Sequence, residues 1–377
     1  MFELSAEQEA SREEFRKFAD EVVAPHAAAH DSEERLRQEV IDALVERGYL
    51  ASFLPPEQGG AGLDFITYGL LTEELGRACS STRSLLTVHD MLTLAIRRWG
   101  NEEQRSWLPR LARGEVLGAF ALSEPEVGSD AKSVSTTAEA ADGAFVVHGT
   151  KKWITFGQIA DLFVVFVRCE EGPTALLVER DTPGLTIEPL GGVLGTRGSM
   201  LAQLRFEDCR VPEANLLGRV GFGFTHVASA ALDLGRYSVA CGSVGIGQAC
   251  LDASMDYASE RVQFGAAIKQ HQLVRRMLTD MLTQVRAARL LCLRAGTLKQ
   301  QEDPRGTLET LIAKYFASTT AVRVASDAVQ IHGANGCTAD YPVARLLRDA
   351  KVMEIIEGST QIQQVAIARY GELDLRG

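Results

Sequence analysis

HQLVRRMLTDMLTQVRAARLLCLRAG, residues 271–296, is a long amphipathic stretch whose apolar residues recur every three or four positions. This is the period of a helix with one buried face. TLETLIAKYFASTTAVRVASDAVQIHG, residues 307–333, has the same pattern, and both stretches exceed the ~11 residues of a typical globular helix. Long amphipathic helices joined by short loops predict a four-helix bundle, which we assign to residues 222–377.

The pattern changes twice upstream of this bundle. Residues 1–115 show helical periodicity with start signals of their own, such as the capping box of Ser5 and Gln8. Residues 116–221 instead contain short runs rich in Val, Phe, Leu and Ile, such as DLFVVFV and TALLVE, which turn formers separate. The predicted fold is therefore mainly α with a central β-domain. It has an N-terminal helical domain, a middle antiparallel β-barrel or small sheet, and a C-terminal four-helix bundle.

The composition is that of a globular protein, with 46% hydrophobic and 24% charged residues among 377. The net charge of -11 argues against nucleic-acid binding, which needs a basic surface. No apolar run approaches the roughly 20 residues of a membrane span. The acidic, polar N-terminus MFELSAEQEASREEF does not resemble a secretory signal. The seven cysteines are scattered without a CxxC pair, which is typical of reduced thiols, so we expect a cytoplasmic protein.

Motifs of several common site classes are missing from the sequence. There is no GxGxxG or GxxxxGK for a nucleotide, and no GxSxG for a nucleophilic serine. His26 and His30 are four residues apart, but no third metal ligand accompanies them. We interpret this pair as part of a solvated helix end and predict no metal site.

Two segments of the middle domain are candidates for ligand contact, although each has an ordinary structural alternative. ALSEPEVGSD, residues 121–130, follows a predicted strand. Its backbone N–H groups and hydroxyls could meet an anionic or heteroaromatic ligand, or the segment could be a capped turn. KKWITFG, residues 151–157, places Trp153 and Thr155 on the same side of a strand. They could form a flat aromatic wall beside a hydroxyl, or simply belong to the sheet core.

Two arginines have similarly open interpretations. ERVQFG places Arg261 and Phe264 at the i, i+3 spacing of a helix. The arginine could grip a phosphate while the phenyl ring covers a base, or it could be an ordinary surface residue. RACSSTRSLLTVHDM places Arg83 and Thr87 one helical turn apart, in apolar surroundings that predict burial. A buried arginine needs a carboxylate partner, which an internal acid or a ligand could supply.

An acid within an apolar segment is the last candidate. In MEIIEGSTQIQ, residues 353–363, Glu357 stands between two isoleucines and a glycine. An ionised carboxylate in apolar surroundings costs several kcal/mol unless it is paired or takes up a proton. The neighbours Ile355 and Ile356 are expected to raise its proton affinity, as suits a general base. The alternative is a helix-ending glutamate exposed to water.

Together these motifs resemble the acyl-CoA dehydrogenase superfamily across nearly the whole chain. In order, they are FALSEPEVGSD, KKWITFG, LDLGR, YASERVQFG with the later HQ, DAVQIHGANG, YPVARLLRDAK and IIEGSTQIQ. Each motif is weak alone, whereas the ordered set is highly specific. The resemblance implies the three-domain fold described above and one non-covalent FAD per subunit. It also implies a homodimer or homotetramer, and an electron acceptor such as electron-transfer flavoprotein.

The resemblance further implies roles for individual residues. Glu357 falls at one of the family's positions for the catalytic base. The residues expected to bind the flavin ring or to form its loop are Phe120, Leu122, Ser123, Gly128, Ser129, Trp153 and Thr155. The residues expected to hold the pyrophosphate and adenosine of a neighbouring subunit's FAD are Arg261, Phe264, Gln272, Gln330 and Gly333. Ser359 and Gln361 match the cofactor-binding run after the base, and Asp233 and Arg236 match a pair on the substrate side.

The sequence departs from the family pattern at a few positions. Phe156 stands where asparagine is common, Ala334 replaces a second glycine, and Ile356 replaces an aromatic residue beside the base. Ser123 and Ser359 stand where threonine is usual, which keeps the hydroxyls. FAD binding is therefore still expected, whereas the shape of the acyl pocket is left open.

A narrower resemblance concerns the substrate. SSTRSLLTV, which contains Arg83 and Thr87, resembles the segment of glutaryl-CoA dehydrogenases in which an arginine and a hydroxyl hold a distal carboxylate. The same segment, with MEIIEGS, resembles dehydrogenases of polyketide gene clusters that act on acyl groups of an acyl carrier protein. We therefore predict FAD-dependent oxidation of a short, polar acyl thioester, on CoA or on a carrier protein, in secondary metabolism. Glu357 would remove the α-proton, and the β-hydride would pass to flavin N5.

Other interpretations stay open at this point. The protein could be a general short-chain or glutaryl-type acyl-CoA dehydrogenase, an oxidase of a hydroxyacyl-carrier protein for polyketide extender-unit synthesis, or a scaffold without flavin. Arg83 could form an internal ion pair with Glu73 or Glu74. An acidic carrier protein would also need a basic docking patch on this acidic chain. The candidates for that patch are Arg275, Arg276, Arg286 and Arg289.

Overall fold

Helices fill the N-terminal part of the computed structural model, which describes residues 4–374. The ends of the first and third predicted domains, residues 1–3 and 375–377, lie outside the described residues. The helices are α1 (Ala6–Phe18), α2 (Ala27–Ser32), α3 (Gln38–Glu46), α4 (Phe65–Ala78), α5 (Ser80–Trp99), α6 (Glu102–Arg105) and α7 (Trp107–Ala112). The predicted capping box is confirmed, because the Gln8 backbone N–H donates to the Ser5 hydroxyl at 3.2 Å and the Ser5 N–H donates to the Gln8 side chain at 3.0 Å.

A mixed β-sheet occupies the middle of the chain. Its strands are β1 (Gly118–Ala121), β2 (Thr137–Ala141), β3 (Ala144–Ile154), β4 (Leu162–Cys169), β5 (Gly172–Glu179), β6 (Leu185–Pro189), β7 (Ala202–Pro212) and β8 (Leu216–Leu217). The strand order is β6-β7-β3-β2-β4-β5-β8, and β1 pairs with β4 off this path. Most pairs are antiparallel as predicted, but β1 and β2 run parallel to β4. A parallel pair needs a long connection, and the chain between β1 and β4 supplies one.

Long helices return after the sheet and confirm the predicted fold class. They are α8 (Ser229–Glu260), α9 (Gln272–Gln300), α10 (Gly306–His332), α11 (Val343–Met353) and α12 (Thr360–Asp374), and a hairpin of β9 (Val262–Gln263) and β10 (Ala266–Ala267) separates α8 from α9. Helix α8 packs against α4, α9 and α10, so it is central to both helical parts. The two stretches that predict long helices correspond to α9 and α10.

The hairpin between α8 and α9 changes the interpretation of ERVQFG. Helix α8 ends at Glu260, and Arg261 already has extended backbone angles. Phe264 and Gly265 form the turn with φ of 52° and 75°, a pair of positive values typical of two-residue hairpin turns. The helical spacing predicted for Arg261 and Phe264 is therefore wrong, because these residues flank a strand.

The apolar core surrounds the strand β4 on both faces. Val164 and Phe166 pack with α5 and α7, whereas Phe163 and Val165 face a second cluster within the sheet. This two-sided burial explains why DLFVVFV is a continuous apolar run without alternation. A further cluster joins the N-terminal helices to the bundle. Within residues 4–374, no helix combines the length and hydropathy that crossing a bilayer requires.

His30 belongs to this interior and not to a solvated helix end. Its ring is fully buried, and Nε2 accepts a hydrogen bond from the Arg37 backbone N–H at 3.2 Å. Burial lowers the pKa of His30 to about 4, so the ring is neutral at physiological pH. The helix-end interpretation is therefore wrong for His30.

Candidate active site

Glu357 lies in the turn between α11 and α12. Its φ is 56° and that of Gly358 is 92°, and the left-handed conformation at a glutamate costs roughly 1–2 kcal/mol. Side-chain donors hold both carbonyl groups of this turn. Arg236 Nε donates to the Glu357 carbonyl at 3.2 Å, and Lys314 Nζ donates to the Gly358 carbonyl at 2.8 Å. Gln363 Nε2 donates to both carbonyls at 3.0 Å, so the turn is fixed from three directions.

The carboxyl group at the end of Glu357 is buried and under-satisfied. Its Oε2 atom has no hydrogen-bond partner among the described residues. Burial raises the pKa of Glu357 to about 7, and the positive charges of Arg236, Arg83 and Lys314 act in the opposite direction. A carboxyl group with this pKa can take up and release a proton near neutral pH.

The burial of this carboxyl group comes from helix packing and not from the flanking isoleucines. Ile355 is 58% exposed, whereas Ile356 is partly buried against the helical core. The carboxyl group packs closely against Gly235 on α8, since a Cβ placed there would lie 2.5 Å from Glu357 Oε2, and the same Cβ would lie 3.0 Å from Met91 Sδ on α5. The expectation that Ile355 desolvates the acid is wrong, although the raised proton affinity is confirmed.

Arg83 is buried on α5 among hydroxyl groups. Its Nη1 atom donates to Thr87 Oγ1 at 3.0 Å and to Ser238 Oγ at 3.4 Å, and Nη2 donates to Ser84 Oγ at 2.9 Å. Its Nε atom has no partner among the described residues. Gly242 on α8 makes room for this side chain, because a Cβ there would lie 2.3 Å from Arg83 Cδ. The predicted burial and the Arg83–Thr87 pairing are confirmed.

No carboxylate of residues 4–372 lies within ion-pair distance of Arg83. The two acids considered as its partners are engaged elsewhere, since Glu73 pairs with Arg289 at 2.8 Å and Glu74 pairs with Arg77 at 2.6 Å. The internal ion-pair alternative is therefore wrong. Burial lowers the pKa of Arg83 to about 10, and the charges of Glu357 and Asp349 act in the opposite direction from beyond ion-pair distance.

The loop after β1 and the end of β3 form a single polar surface. The Lys152 backbone N–H donates to the Ser123 carbonyl at 2.8 Å. Directly below, Lys151 Nζ is 2.7 Å from Glu124 Oε1 and also donates to the Leu122 carbonyl at 3.2 Å. Both charged side chains of this pair are fully buried. Such a pair fixes the loop to the strand, because either charge alone would be uncompensated.

Trp153 stands on this surface with an unusual backbone. Its φ is 64°, a β-bulge separates Lys151 from Ile154, and its side chain is 51% exposed. The sheet-core alternative is therefore wrong for Trp153. Thr155 is half-buried in the turn after β3. Within the described range, neither the Thr155 nor the Ser123 hydroxyl hydrogen-bonds to another protein group.

The remaining predicted residues divide between the core and the surface. Phe120 and Leu122 are buried beneath the loop, while Gly128 and Ser129 are exposed on it. All five predicted residues of the bundle are exposed, namely Arg261, Phe264, Gln272, Gln330 and Gly333. Phe264 is 98% exposed, so its ring has almost no contact with its own chain. Ser359 precedes α12, where its carbonyl accepts from the Gln363 backbone N–H at 2.9 Å, and Gln361 is exposed beside it.

A cavity of about 490 Å³ has Arg236, which contacts the Glu357 turn, in its lining. It is lined by residues of α5, α8 and α9, including Asp233, Arg236 and Lys299. Asp233 forms a close ion pair with Lys299. Arg236 also donates to the Glu357 carbonyl, so one side chain joins the cavity to the turn. The predicted substrate-side pair thus shares one cavity beside the proposed base.

The sequence interpretation missed the residues that fix the Glu357 turn and the polar surface around Trp153. They are Glu124, Lys151, Gly235, Lys314 and Gln363. Lys314 is a charged residue within the apolar run LIAKYFA. A charged residue in an apolar run is also the signal that identified Glu357. Gly235 has no comparable signal, since a glycine within a helix does not reveal which side chain lies opposite.

The sequence matches family models of the acyl-CoA dehydrogenases over almost its whole length. The N-terminal domain model matches residues 5–115, the middle domain model 119–209 and the C-terminal domain model 221–371. The mitochondrial short-chain specific acyl-CoA dehydrogenase of Mus musculus is 40% identical over 375 residues. The match covers 98% of this chain and 90% of the mouse protein.

Two solved structures share this backbone. Glutaryl-coenzyme A dehydrogenase in its glutaryl-CoA complex has a TM-score of 0.93 and 33% identity, with 98% of this chain and 95% of that chain covered. FkbI, a protein for biosynthesis of the methoxymalonyl extender unit of the polyketide Fk520, has a TM-score of 0.88 and 32% identity, with 95% and 99% covered. The predicted family, fold class and FAD cofactor are confirmed by these similarities. The chain belongs to the acyl-CoA dehydrogenase family and is an FAD-dependent oxidoreductase of acyl thioesters.

Proposed function

We propose that the enzyme oxidises a short acyl thioester with a polar distal end, and that Glu357 removes the proton α to the thioester carbonyl. The observation that carries this proposal is the buried Oε2 atom of Glu357, which has no partner among the described residues and belongs to a group with a pKa of about 7. A general base works best when its pKa lies near the operating pH. The α-proton of a bound thioester would supply the missing partner.

The surface around Trp153 fits a flavin. Its exposed indole presents a flat apolar face, and the free hydroxyls of Ser123 and Thr155 lie on the two segments that the Lys152 hydrogen bond joins. Gly128 leaves open space, since a Cβ there would meet no atom within 4 Å. FAD bound to these residues would supply the hydride acceptor for the β-position. The hydroxyls would orient the ring, and the buried Lys151 pair would keep the loop in place.

Arg83 favours a substrate whose acyl chain ends in a carboxylate or a hydroxyl. The guanidinium is buried, donates to hydroxyl groups, and among the described residues has no carboxylate at ion-pair distance and no partner for its Nε atom. A purely apolar acyl chain would leave this cation unpaired in a closed site, which is unfavourable. A polar chain end would form charge-assisted hydrogen bonds with Arg83 and Thr87, each worth roughly 1.5–3 kcal/mol.

The carrier and the assembly are further parts of the proposal. The likeness to FkbI and to polyketide-cluster dehydrogenases favours an acyl carrier protein over free CoA, and a role in secondary metabolism. Phe264 and the other exposed bundle residues suit contact with the FAD of a neighbouring subunit, because a 98% exposed phenyl ring gains from being covered. We therefore infer a homodimer or homotetramer. An electron-transfer flavoprotein or a similar acceptor would reoxidise the flavin.

A panel of thioesters tests this function directly. Butyryl, 3-hydroxybutyryl and glutaryl groups would be offered on CoA and on a holo acyl carrier protein, without oxygen, while flavin absorbance is followed. We expect flavin bleaching with a polar acyl group to be faster than with butyryl. A clear preference for butyryl-CoA would contradict the polar-substrate assignment.

The Glu357→Gln variant tests the base in the same assay. The amide keeps the shape of the side chain but cannot accept the proton, so we expect intact FAD content and a rate loss larger than the ~10²–10⁴ typical of general bases. If this variant bleaches the flavin at the wild-type rate, Glu357 is not the base. Light scattering of the FAD-loaded enzyme would test the assembly, and a monomer with full FAD occupancy would contradict it.

A further inference from the structure

The basic patch predicted on α9 is a poor docking surface. Arg289 is largely buried, pairs with Glu73 and donates to Gln248. Arg276 lies 3.7 Å from the carboxylate of Asp280 on the same helix. Two of the four predicted arginines are therefore already engaged with acids. The structure offers a different basic surface, which lies at the cavity that contains Asp233 and Arg236.

This second surface, the cavity rim, combines cations with exposed aromatic rings. Arg98 and Trp99 end α5 and line the cavity, and His226 lines it from the other side. Phe222 is 40% exposed and stacks on His226, with ring centroids 4.6 Å apart. The Arg219 guanidinium lies 5.9 Å from the Phe222 ring. These five residues therefore form one continuous surface beside the cavity.

The charge of the rim is opposite to that of the whole chain. Arg98 and Arg219 are exposed, and neither is paired with a carboxylate of residues 4–372, whose side chains the structure describes. Asp233 is the acid among the cavity-lining residues, and Lys299 neutralises it. The protein as a whole carries a net charge of -11. A local positive surface on an acidic protein attracts and orients a partner of negative charge.

We propose that the cavity rim is the docking surface for an acidic acyl carrier protein, whose acylated arm enters the cavity past Arg98. This inference rests on the proposed function, since it assigns the partner that delivers the thioester to Glu357. Exposed aromatic rings beside arginines are the side chains enriched at protein–protein interfaces, which favours a protein over the phosphates of CoA alone. The rim is continuous with the cavity through His226, so a docked carrier would not need to move for the reaction.

Charge reversal at the rim provides the test. Arg98→Glu and Arg219→Glu would be compared with Arg286→Glu, an exposed arginine of α9 that serves as the matched control. Each variant would first be checked for FAD content and thermal unfolding. Initial rates would then be measured with butyryl groups on three carriers: a holo acyl carrier protein, CoA and N-acetylcysteamine. The small thioester reports the chemistry without any carrier contact.

We expect both rim variants to lose about tenfold or more in kcat/KM on the carrier-protein thioester at low salt, with the difference shrinking at high salt. On the N-acetylcysteamine thioester Arg219→Glu, which changes no cavity-lining residue, should match the wild type, and Arg286→Glu should match it on all three. An equal loss on CoA and carrier protein would indicate a phosphate site and overturn the docking assignment. The docking assignment would also be overturned if Arg98→Glu and Arg219→Glu both kept the wild-type preference for the carrier-protein thioester over the CoA thioester. If the wild-type enzyme does not prefer the carrier-protein thioester over the CoA thioester, the proposal that the substrate is bound to a carrier protein is overturned as well.

Discussion

Gly235→Ala tests how closely helix α8 defines the position of the Glu357 carboxyl group. The added Cβ would lie 2.5 Å from Glu357 Oε2 and 2.7 Å from its Cδ, well inside ordinary contact distances of 3.4–4 Å. Met91 Sδ, at 3.0 Å, blocks the other side. The carboxyl group must therefore move by about 1 Å, and a misplacement of that size at a reacting group can lower the rate about 10²-fold.

The same change should affect stability much less than activity. Alanine is about 1 kcal/mol better than glycine inside a helix. Inserting a methyl group into a packed site costs roughly 1–3 kcal/mol. Because the two terms oppose each other, Gly235→Ala should fold, keep its FAD and unfold near the wild-type temperature. Loss of activity would then report the position of the base and not the loss of the fold.

The assay is anaerobic single-turnover bleaching of the flavin by butyryl-CoA, with FAD content measured in parallel. Gly247→Ala is the matched control on the same helix, because its Cβ would meet only the end of the Val285 side chain, at 3.0 Å. We expect the control to react at the wild-type rate and Gly235→Ala to react about 10²-fold more slowly. A Gly235→Ala enzyme with full FAD and the wild-type rate would refute the argument that α8 positions the carboxyl group.

Four other changes probe the remaining contacts. The bleaching rate should fall as the pH drops below about 7, because Glu357 then binds a proton and no longer acts as a base; a flat profile from pH 6 to 9 would contradict this assignment. Lys314→Met should lose about 1.5–3 kcal/mol of charge-assisted bonding to the Gly358 carbonyl, which still accepts from Gln363, and should move that limb to higher pH, since a cation that lowers the pKa of Glu357 is gone; an unmoved limb would count against it. Arg83→Met should slow polar thioesters more than butyryl-CoA, whereas an equal loss on both would make Arg83 structural. Lys151→Met should leave Glu124 buried without its partner, destabilise the fold by about 3–5 kcal/mol and release FAD, as a thermal melt with flavin fluorescence would show.

The sequence predicts features whose physical cause is local. The 3.6-residue period of α9 and α10 needs only the chain itself, because an amphipathic helix buries the face that its own residues define. The capping box at Ser5 is equally local. Glu357 stands out for a related reason, since an acid in an apolar run has few favourable explanations. The interior position of Arg83 follows from the same reasoning.

Features that depend on contacts with a distant segment could not be predicted from the sequence. Arg261 and Phe264 have the spacing of a helix face, but the Phe264–Gly265 turn and the pairing of Val262 with Ala267 convert the segment into a hairpin. Ile355 is apolar and yet exposed, because the turn directs it outward. The lack of an ion-pair partner for Arg83 could not be predicted from the sequence either. It depends on tertiary packing, in which Glu73 pairs with Arg289 and Glu74 pairs with Arg77.

The strained backbone at Glu357 and the burial of its carboxyl group have linked causes. A glutamate within a helix would choose among several rotamers on the helix face, whereas the left-handed turn directs this carboxyl group onto α8. The strain of roughly 1–2 kcal/mol is smaller than the gain from two charge-assisted bonds of about 1.5–3 kcal/mol each, which Arg236 and Lys314 donate to the carbonyls of the turn. The same two cations limit the rise in the pKa that burial causes. The groups that fix the backbone therefore also keep the acid ionisable near neutral pH.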